Sequence, residues 1–253
     1  MLWCALLIRN ESDAPRPDDQ LRAIATWALQ FTPRVAIVDG AVVIEVEAST
    51  RLFGGRRPLR DRIVAEGAEL GVAAVAWAPT ALAAIACARA DRENGVRTPL
   101  AAVLDALPLE TLSATLPHHT TLAQLGCRTL GDVRALPRGG ISRRFDKALL
   151  SALDRAYGLV PEAHTWIEAP ETFRARLELM SRVETAPALL FGARRLLMQL
   201  CGWLAARLAG ITAFTLRWMH DAMRARDAGE GGELTIRTAA PMRNLEHLCR
   251  LLA

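Results

Sequence analysis

In the first third of the chain, stretches whose apolar positions have the spacing of strands alternate with stretches that have the spacing of helices. Nearly continuous apolar runs at 2–8 and 72–78 predict buried strands. Two further runs flank Asp39-Gly40, a dipeptide that predicts the tight turn of a hairpin over 35–46. Helical spacing is found between these strands, at 18–31, 58–70 and 80–89. This order predicts an α+β fold, with helices over one face of a mainly antiparallel sheet.

The middle of the chain is predicted to be helical and divided into short pieces. A helix and connector over 98–116 is followed by small helices up to Tyr157, with breaks at Gly126 and at 137–140. The second half of this stretch is basic, because six cations between positions 128 and 147 are accompanied only by Asp132 and Asp146. These cations are Arg128, Arg134, Arg138, Arg143, Arg144 and Lys147. Short helices with tight turns offer cations and backbone N–H groups to a phosphate backbone, although a solvated helical face explains the pattern equally well.

The last third of the chain is predicted to form a second α+β unit after a linker at 160–170. Its elements are a strand over 173–179, a helix over 186–208, strands over 211–220 and 233–238 that flank a turn at 224–232, and a helix over 242–252. Four arginines occupy the predicted strands, where they can line one face of the sheet. They are Arg174, Arg176, Arg217 and Arg237. A polar outer face of the sheet is the alternative interpretation.

Composition adds a weak indication of an anionic partner. The chain has 253 residues and a net charge of +4, and Lys147 is its only lysine. Arginine binds phosphate through two parallel hydrogen bonds, which suits nucleic acid. A charge of +4 over this length is too small to establish such a partner.

The cysteines and the N-terminus favour an intracellular protein. None of the five cysteines forms a CxxC pair or lies at zinc spacing from a histidine, so we expect them to be reduced and buried. They are Cys4, Cys87, Cys127, Cys201 and Cys249. The apolar run at the N-terminus is too short for a signal peptide, and no stretch approaches the length of a membrane span. We therefore expect a soluble, cytoplasmic protein without a membrane partner.

Motifs of several enzyme classes are missing. There is no GxSxG, and neither Gly54-Gly55 nor Gly139-Gly140 is followed by the Lys-Ser or Lys-Thr of a phosphate loop. His118-His119 has no nearby cysteine or helically spaced acid to complete a metal site. Trp166 lies in the linker, where packing between domains is favoured over stacking on a base.

Several segments together resemble the Y-family translesion DNA polymerases, and more closely their ImuB-type branch, the polymerase-like proteins of bacterial damage-inducible mutagenesis cassettes. The segments are DGAVVIEVEASTRLFGG, AWAPTALAAIACARA, LGCRTLGDVRALPRGGISRRFDKALLSALDRAYG and the arginine-bearing C-terminal unit. The resemblance covers nearly the whole chain and is most specific at 51–55 and 125–145. It implies a palm over 1–105, a helical thumb over 106–165 with a helix-hairpin-helix-like segment, and a partial little-finger domain over 166–253.

The catalytic positions depart from the family pattern. An active palm carries carboxylates on its first strand and hairpin that hold two Mg²⁺ ions. Here the first strand contains no acid, and only Asp39 matches a hairpin carboxylate. A role as first residue of the Asp-Gly turn explains Asp39 fully. Glu45 and Glu47 are expected to point outward. We therefore expect no catalytic residue, with Asp39 as the one remaining candidate, and no metal or cofactor unless an active polymerase retains Mg²⁺.

Three further departures concern segments rather than single residues. Residues 9–18 are too few to hold the fingers subdomain that covers the nucleotide in active relatives. The Gly-rich hairpin that often opens the thumb is replaced by 116–120. The chain is also expected to lack the last little-finger strand and the C-terminal segments with which relatives bind partner proteins.

The resemblance implies a non-catalytic, DNA-binding adaptor in bacterial DNA repair and translesion synthesis. The expected contacts are made to the DNA backbone, independently of base sequence. They involve Arg128, Arg138, Arg143, Arg144 and Lys147 of the thumb, and Arg174, Arg176 and Arg217 of the little finger. A translesion polymerase and a RecA-like protein are the expected partners. Two alternatives stay open: a divergent, active DNA nucleotidyltransferase, and a truncated relative without a function of its own.

Overall fold

A computed structural model describes residues 1–8, 17–92, 98–179, 183, 185–220 and 231–252. The helices are α1 (Pro17–Ala28), α2 (Arg56–Glu69), α3 (Ala81–Arg89), α4 (Leu100–Asp105), α5 (His119–Gln124), α6 (Leu130–Ala135), α7 (Arg138–Arg144), α8 (Lys147–Ala156), α9 (Ala186–Ala206) and α10 (Leu245–Leu252). The strands are β1 (Trp3–Ile8), β2 (Val35–Val38), β3 (Ala41–Glu45), β4 (Val72–Ala78), β5 (Ile211–Met219) and β6 (Gly231–Met242). The predicted α+β fold class is confirmed.

Contacts divide the chain into two compact units. The first unit comprises Met1–Glu11 and Arg34–Ile167, and the second comprises Ser12–Pro33 and Glu168–Ala253. Helix α1 therefore associates with the C-terminal part of the chain, although it lies between two strands of the first unit in sequence. The palm, thumb and little-finger boundaries implied by the resemblance stay predictions.

The first unit contains a four-stranded antiparallel sheet in the order β2-β3-β1-β4. All four strands occupy the predicted positions. In the hairpin turn Asp39 and Gly40 have positive φ angles of 51° and 72°. A two-residue turn with left-handed backbone at both central positions matches the twist of the flanking strands, which explains the Asp-Gly dipeptide.

One hydrophobic core joins a face of this sheet to α3 and to the short helices that follow. Trp3, Ala5 and Val43 contribute from the sheet, while eight of the nine residues of α3 are buried. Thr80 begins α3, since its hydroxyl accepts a hydrogen bond from the Ala83 amide at 3.2 Å. The same core includes residues of α4 to α8, so the basic helices are fixed to the sheet through α3.

One boundary predicted in the helical middle of the chain was wrong. The helix and connector expected over 98–116 are found as α4 and the 3-10 turns that follow it at Leu109–Thr111 and Ser113–His118. Pro108 follows α4 and cannot donate the amide hydrogen bond that would continue it. Gly139 and Gly140 do not break the chain but lie inside α7. Helix α7 tolerates both glycines because Ile141 anchors its centre in the core, where it is 2% exposed.

The second unit is built around α9. Helix α1 packs so closely on it that a Cβ atom at Gly202 would lie 2.7 Å from Cα of Trp27. Helix α10 packs against another part of α9, with Leu197, Leu204 and Leu248 in a shared cluster. Strands β5 and β6 pair in antiparallel fashion and form a two-stranded sheet.

The predicted strand over 173–179 was wrong, because no strand is formed by these residues. Side chains of the segment pack on α9 instead: Phe173 lies 5.9 Å from Trp203 between ring centroids, and a Cβ atom at Gly192 would contact Leu177 and Leu179. Alternating apolar residues indicate an extended chain with one covered side. A helix covers that side here, and the segment has no paired strand to accept its backbone hydrogen bonds.

The predicted linker at 160–170 is irregular, as expected. Most of the predicted turn at 224–232 lies outside the described residues. Within the described part of the chain, no helix combines the length and apolarity that crossing a membrane requires.

Candidate nucleic-acid interface

The short helices α5 to α8 have one buried and one exposed side. Leu122, Leu130, Ile141 and Leu149 are 2% exposed or less and belong to the core of the first unit. The charged residues lie at the remaining positions of the same short helices. Burial of the apolar side therefore holds the cations on a rigid surface.

Side-chain caps define where two of these helices begin. Thr129 and Asp132 form a reciprocal capping box at the start of α6. Asp146 caps α8, where its Oδ1 accepts a hydrogen bond from the Leu149 amide at 2.8 Å. The backbone amide of Arg128 donates to Asp132 at 2.8 Å and lowers the pKa of that carboxyl. The two acids of the basic stretch thus accept hydrogen bonds from nearby backbone amides.

Four of the predicted DNA-binding residues extend into solvent from this surface. Arg128, Arg143, Arg144 and Lys147 are all exposed. Nε of Arg143 donates to the Gly139 carbonyl at 3.1 Å, one turn earlier in α7. For the other three side chains, the described residues provide no ion pair or hydrogen bond. These cations are accessible to an anionic ligand.

Arg138 differs because its guanidinium is already paired. Nη1 and Nη2 donate to the two carboxylate oxygens of Asp154 at 2.8 and 2.7 Å. The Arg138 side chain is 60% exposed, whereas that of Asp154 is only 14% exposed. The pair joins the first residue of α7 to the C-terminal half of α8, and Arg138 lowers the pKa of the Asp154 carboxyl.

Arg134 also has an internal partner. Its Nε donates to Oδ1 of Asp105 at 2.8 Å, and its Nη2 contacts the other carboxylate oxygen. The Tyr157 hydroxyl donates to Oδ1 of the same carboxylate at 2.7 Å, while the Arg134 guanidinium lies 5.1 Å from the Tyr157 ring centroid. This network links α4, α6 and the end of α8. The hydrogen bond from Arg134 holds the pKa of Asp105 below its usual value.

His118 joins the same surface from the preceding turn. Its Nε2 lies 3.1 Å from Oδ2 of Asp146, and its ring contacts Phe145 edge-on at 5.2 Å between centroids. The partner of His118 is therefore Asp146, the residue that caps α8, and not the neighbouring His119.

The predicted basic residues of the second unit form two groups. Arg174 and Arg176 are both exposed on the irregular segment that packs on α9. Arg217 and Arg237 lie on the same face of the β5–β6 sheet, as predicted, separated by the facing pair Thr215 and Thr235. Arg217 is paired with Glu233 directly opposite, with Nε 2.9 Å from the carboxylate. Both partners are strongly exposed, so water screens this pair.

Asp39 lies at the tip of the β2–β3 hairpin with its side chain exposed. Its backbone carbonyl accepts a hydrogen bond at 2.7 Å from Arg89, which also donates to the Thr111 carbonyl and the Ser113 hydroxyl. Arg89 thus connects the hairpin to the 3-10 turns after α4. No cluster of three or more His, Cys, Asp or Glu side chains suited to a metal ion occurs among the described residues.

The expectation that Glu45 points outward was wrong. Its side chain is 5% exposed, and one carboxylate oxygen lies 3.2 Å from Nη1 of Arg34. The other oxygen accepts a hydrogen bond from the Glu47 amide at 3.0 Å. These partners compensate for burial of the charge. Glu47 is exposed as expected and pairs with Arg56 at 3.0 Å.

Residues 162–167 of the predicted linker are anchored on the first unit. The Glu162 carboxylate accepts hydrogen bonds from the Ala81 and Leu82 amides at 2.7 and 2.9 Å, at the start of α3. Trp166 stacks on Trp3 with ring centroids 6.2 Å apart. The Ile167 amide donates to the Val35 carbonyl at 2.8 Å, on the edge strand β2.

The expected burial of the cysteines holds for three of them. Cys4, Cys87 and Cys127 are buried, whereas Cys201 and Cys249 are partly exposed. All five are free thiols.

Sequence reasoning missed the partners of the basic residues. Nothing in the sequence marks Asp105, Asp154 and Tyr157 as these partners, and they lie 16 to 52 positions from the residues that they bind. Periodicity gives no signal for these partners, because Asp154 lies away from the apolar face that Leu149, Ala152, Leu153 and Ala156 form on α8.

Comparison with known proteins gives relatives of one kind. Two curated proteins, both called Protein ImuB and both from Caulobacter vibrioides (strains NA1000/CB15N and ATCC 19089/CB 15), are 29% identical to this chain over 212 residues. The match covers 82% of this chain and 46% of each relative. The chain thus spans about half the length of the curated relatives it matches. No family model matches the sequence.

Two solved structures are matched over most of this chain at low sequence identity. The insertion ternary complex of Dbh DNA polymerase is 14% identical, with a TM-score of 0.45, and the match covers 93% of this chain and 70% of that one. A Dbh ternary complex with partially disordered substrates is 12% identical, with a TM-score of 0.43 and the same coverage.

The fold and the basic helical surface define an α+β protein with exposed arginines on a rigid scaffold. Its sequence is similar to ImuB, and this similarity confirms the resemblance to the ImuB-type branch that the motifs predicted.

Proposed function

We propose that this protein binds the DNA backbone as a non-catalytic, polymerase-like adaptor in bacterial DNA repair and translesion synthesis. The observation that supports this most directly is the group of exposed cations on α7, α8 and the turn before α6. They are attached to helices whose other side is buried, so the backbone that carries them is already ordered before they meet a ligand.

The cations suit phosphates better than bases. They project from short helices and turns, and no long helix or β-ribbon of this surface extends them into a major groove. Contacts to phosphate oxygens position a protein on DNA without reading the sequence. In the first unit these contacts would be supplied by Arg128, Arg143, Arg144 and Lys147. Arg138 lies on the same surface, where its guanidinium is paired with Asp154.

Arginines of the second unit would add contacts of the same kind. Arg174, Arg176 and Arg217 are exposed and face solvent in that unit. Arg217 would exchange Glu233 for a phosphate, which costs little because the pair is exposed.

The proposal of a non-catalytic role rests on the residues at the hairpin and the first strand. Strand β1 carries no carboxylate, and two hard divalent cations need several oxygen ligands. Asp39 occupies a turn that requires left-handed backbone, which accounts for its presence. A separate translesion polymerase and a RecA-like protein are the partners that we propose, in the cytoplasm of a damage-induced cell.

We expect affinity for primed DNA to fall steeply with salt concentration and to be indifferent to base sequence. Removing two phosphate contacts with Arg143→Ala and Arg144→Ala should lower the slope of log K against log [salt] by about 0.9 per contact on duplex DNA. Fluorescence anisotropy titrations at several salt concentrations measure this slope.

A control with the same loss of charge is the double variant Arg51→Ala, Arg57→Ala. Both residues are exposed and precede α3 in the sequence, whereas the basic helices follow it. Equal effects of both double variants would show that net charge alone matters and would contradict the proposed surface. Primer extension with Mg²⁺ or Mn²⁺ that is abolished by Asp39→Ala would replace the proposal with an active nucleotidyltransferase.

A further inference from the structure

The pairing of Arg138 separates it from the other cations of the surface. Both of its terminal nitrogens are used by Asp154, in the fork geometry that gives the strongest arginine–carboxylate pairs. If Arg138 left for a phosphate, the carboxylate of Asp154, only 14% exposed, would lose its partner in a poorly solvated position. That cost is larger than for the exposed pair of Arg217 and Glu233.

Helix α7 needs such an anchor at its first turn. It has seven residues, two of them glycines, and no side chain caps its start at Pro137. A glycine in a helix costs about 1 kcal/mol relative to alanine, and short helices are marginal without tertiary contacts. Ile141 and Phe145 anchor the centre and end of α7 in the core, whereas Arg138 binds its beginning to α8.

We infer that Arg138 is a positioning residue: its pair with Asp154 orders α7 and thereby presents Arg143 and Arg144 to DNA, instead of contacting phosphate itself. This inference rests on the proposed function for the DNA, but the ordering of α7 is a property of the free protein. The two can therefore be tested separately.

The decisive variant is Asp154→Asn, because the two possible roles of Arg138 predict opposite signs. If Arg138 were a phosphate ligand, removing its internal competitor and one negative charge would raise DNA affinity. If Arg138 positions α7, the same variant should lower affinity about two- to fivefold, the equivalent of a lost pair of 0.5–1 kcal/mol. Glu110→Gln is the matched control, since Glu110 is exposed and its loss changes the net charge equally.

Hydrogen exchange of the DNA-free protein gives the second readout. The amides of Gly140 and Ile141 donate to the Pro137 carbonyl at 2.8 and 3.1 Å in the first turn of α7. We expect their exchange to be faster in Asp154→Asn and unchanged in Glu110→Gln. Arg138→Lys, which keeps the charge but not the fork, should act like Asp154→Asn in both measurements and serves if that variant folds poorly.

The outcomes distinguish the positioning role of Arg138 from the proposed binding of DNA. Unchanged exchange in α7, or affinity that rises in Asp154→Asn, overturns the positioning role of Arg138. Faster exchange together with weaker binding supports it. Absence of DNA binding by the unaltered chain overturns the proposed function and the presentation of arginines to DNA, while the exchange data still show whether the pair orders α7.

Discussion

At the scale of single residues, some charged side chains of the first unit stabilise the fold through ion pairs and hydrogen bonds instead of being available to a ligand. The carboxylate of Asp105 receives hydrogen bonds from Arg134 and from Tyr157, the only tyrosine of the chain. Burial raises the pKa of Tyr157, which therefore stays protonated and donates at neutral pH. One carboxylate thus binds an arginine and a tyrosine from two different helices.

Asp105→Asn should destabilise the first unit by about 1–2 kcal/mol at pH 7, because Arg134 and Tyr157 lose a charged acceptor. The pKa of Asp105 is lowered in the folded state, so its contribution is complete above the unfolded value of about 4 and is lost as pH falls below it. Urea unfolding at pH 7 and pH 3 measures both effects.

The variant should also lose less stability on acidification than the unaltered chain, because the titrating group is absent. Asp61→Asn is a suitable control, since Asp61 is exposed on α2 and has only its neighbour Arg60 as ion-pair partner among the described residues. An equal acid dependence in the Asp105→Asn variant and the unaltered chain would contradict the prediction.

At the scale of elements, two glycines in the basic region differ in their surroundings. Gly131 lies where α6 approaches α4, and a Cβ atom there would be 2.8 Å from both Cβ and the carbonyl oxygen of Asp105. Gly139 lies in α7, where an added Cβ would meet only the end of the Arg143 side chain at 3.5 Å. Gly131 is required by helix packing, whereas Gly139 is not.

Alanine at these two positions should therefore shift stability in opposite directions. Gly131→Ala forces α4 and α6 apart and should cost about 1–3 kcal/mol. Gly139→Ala should stabilise the chain by about 0.5–1 kcal/mol, since alanine restricts the unfolded chain and favours the helix. Chemical denaturation measures both. A destabilising Gly139→Ala would show that α7 needs the freedom of glycine at its start.

At the scale of the whole molecule, the chain forms two compact units. Part of the predicted linker is bound to the first unit. Residues 162–167 belong to the first unit through the cap of α3, the Trp3–Trp166 stack and the bond to β2.

Glu162→Ala should lower the stability of the first unit by about 2 kcal/mol, since two amides at the start of α3 lose a charged acceptor. We expect faster hydrogen exchange in α3 and in 162–167, with no change in α9 and α10. Peptide-resolved exchange by mass spectrometry distinguishes the units. Glu168→Ala, whose side chain is exposed just beyond the anchored residues, is the control. Faster exchange in both units would contradict this division.

Local signals in the sequence predicted most of the first unit and part of the second. The periods of β1, β4 and α3 and the Asp-Gly turn were read directly, because each depends on neighbouring residues. The breaks in the helical region were less well predicted, since a glycine stops a helix only where packing does not hold it, and Ile141 holds α7. The strand over 173–179 failed because alternation reports a covered side and not the element that covers it.

The sequence by itself determined the secondary structure with strong local periodicity, the absence of acids on β1, and the concentration of arginine between 128 and 147. Only the tertiary structure decided which of these arginines are available. Asp105 binds Arg134 and Asp154 binds Arg138 across different helices, while Arg144 and Lys147 have no such partner among the described residues. Such pairs depend on how helices pack in space, and packing depends on contacts far apart in sequence.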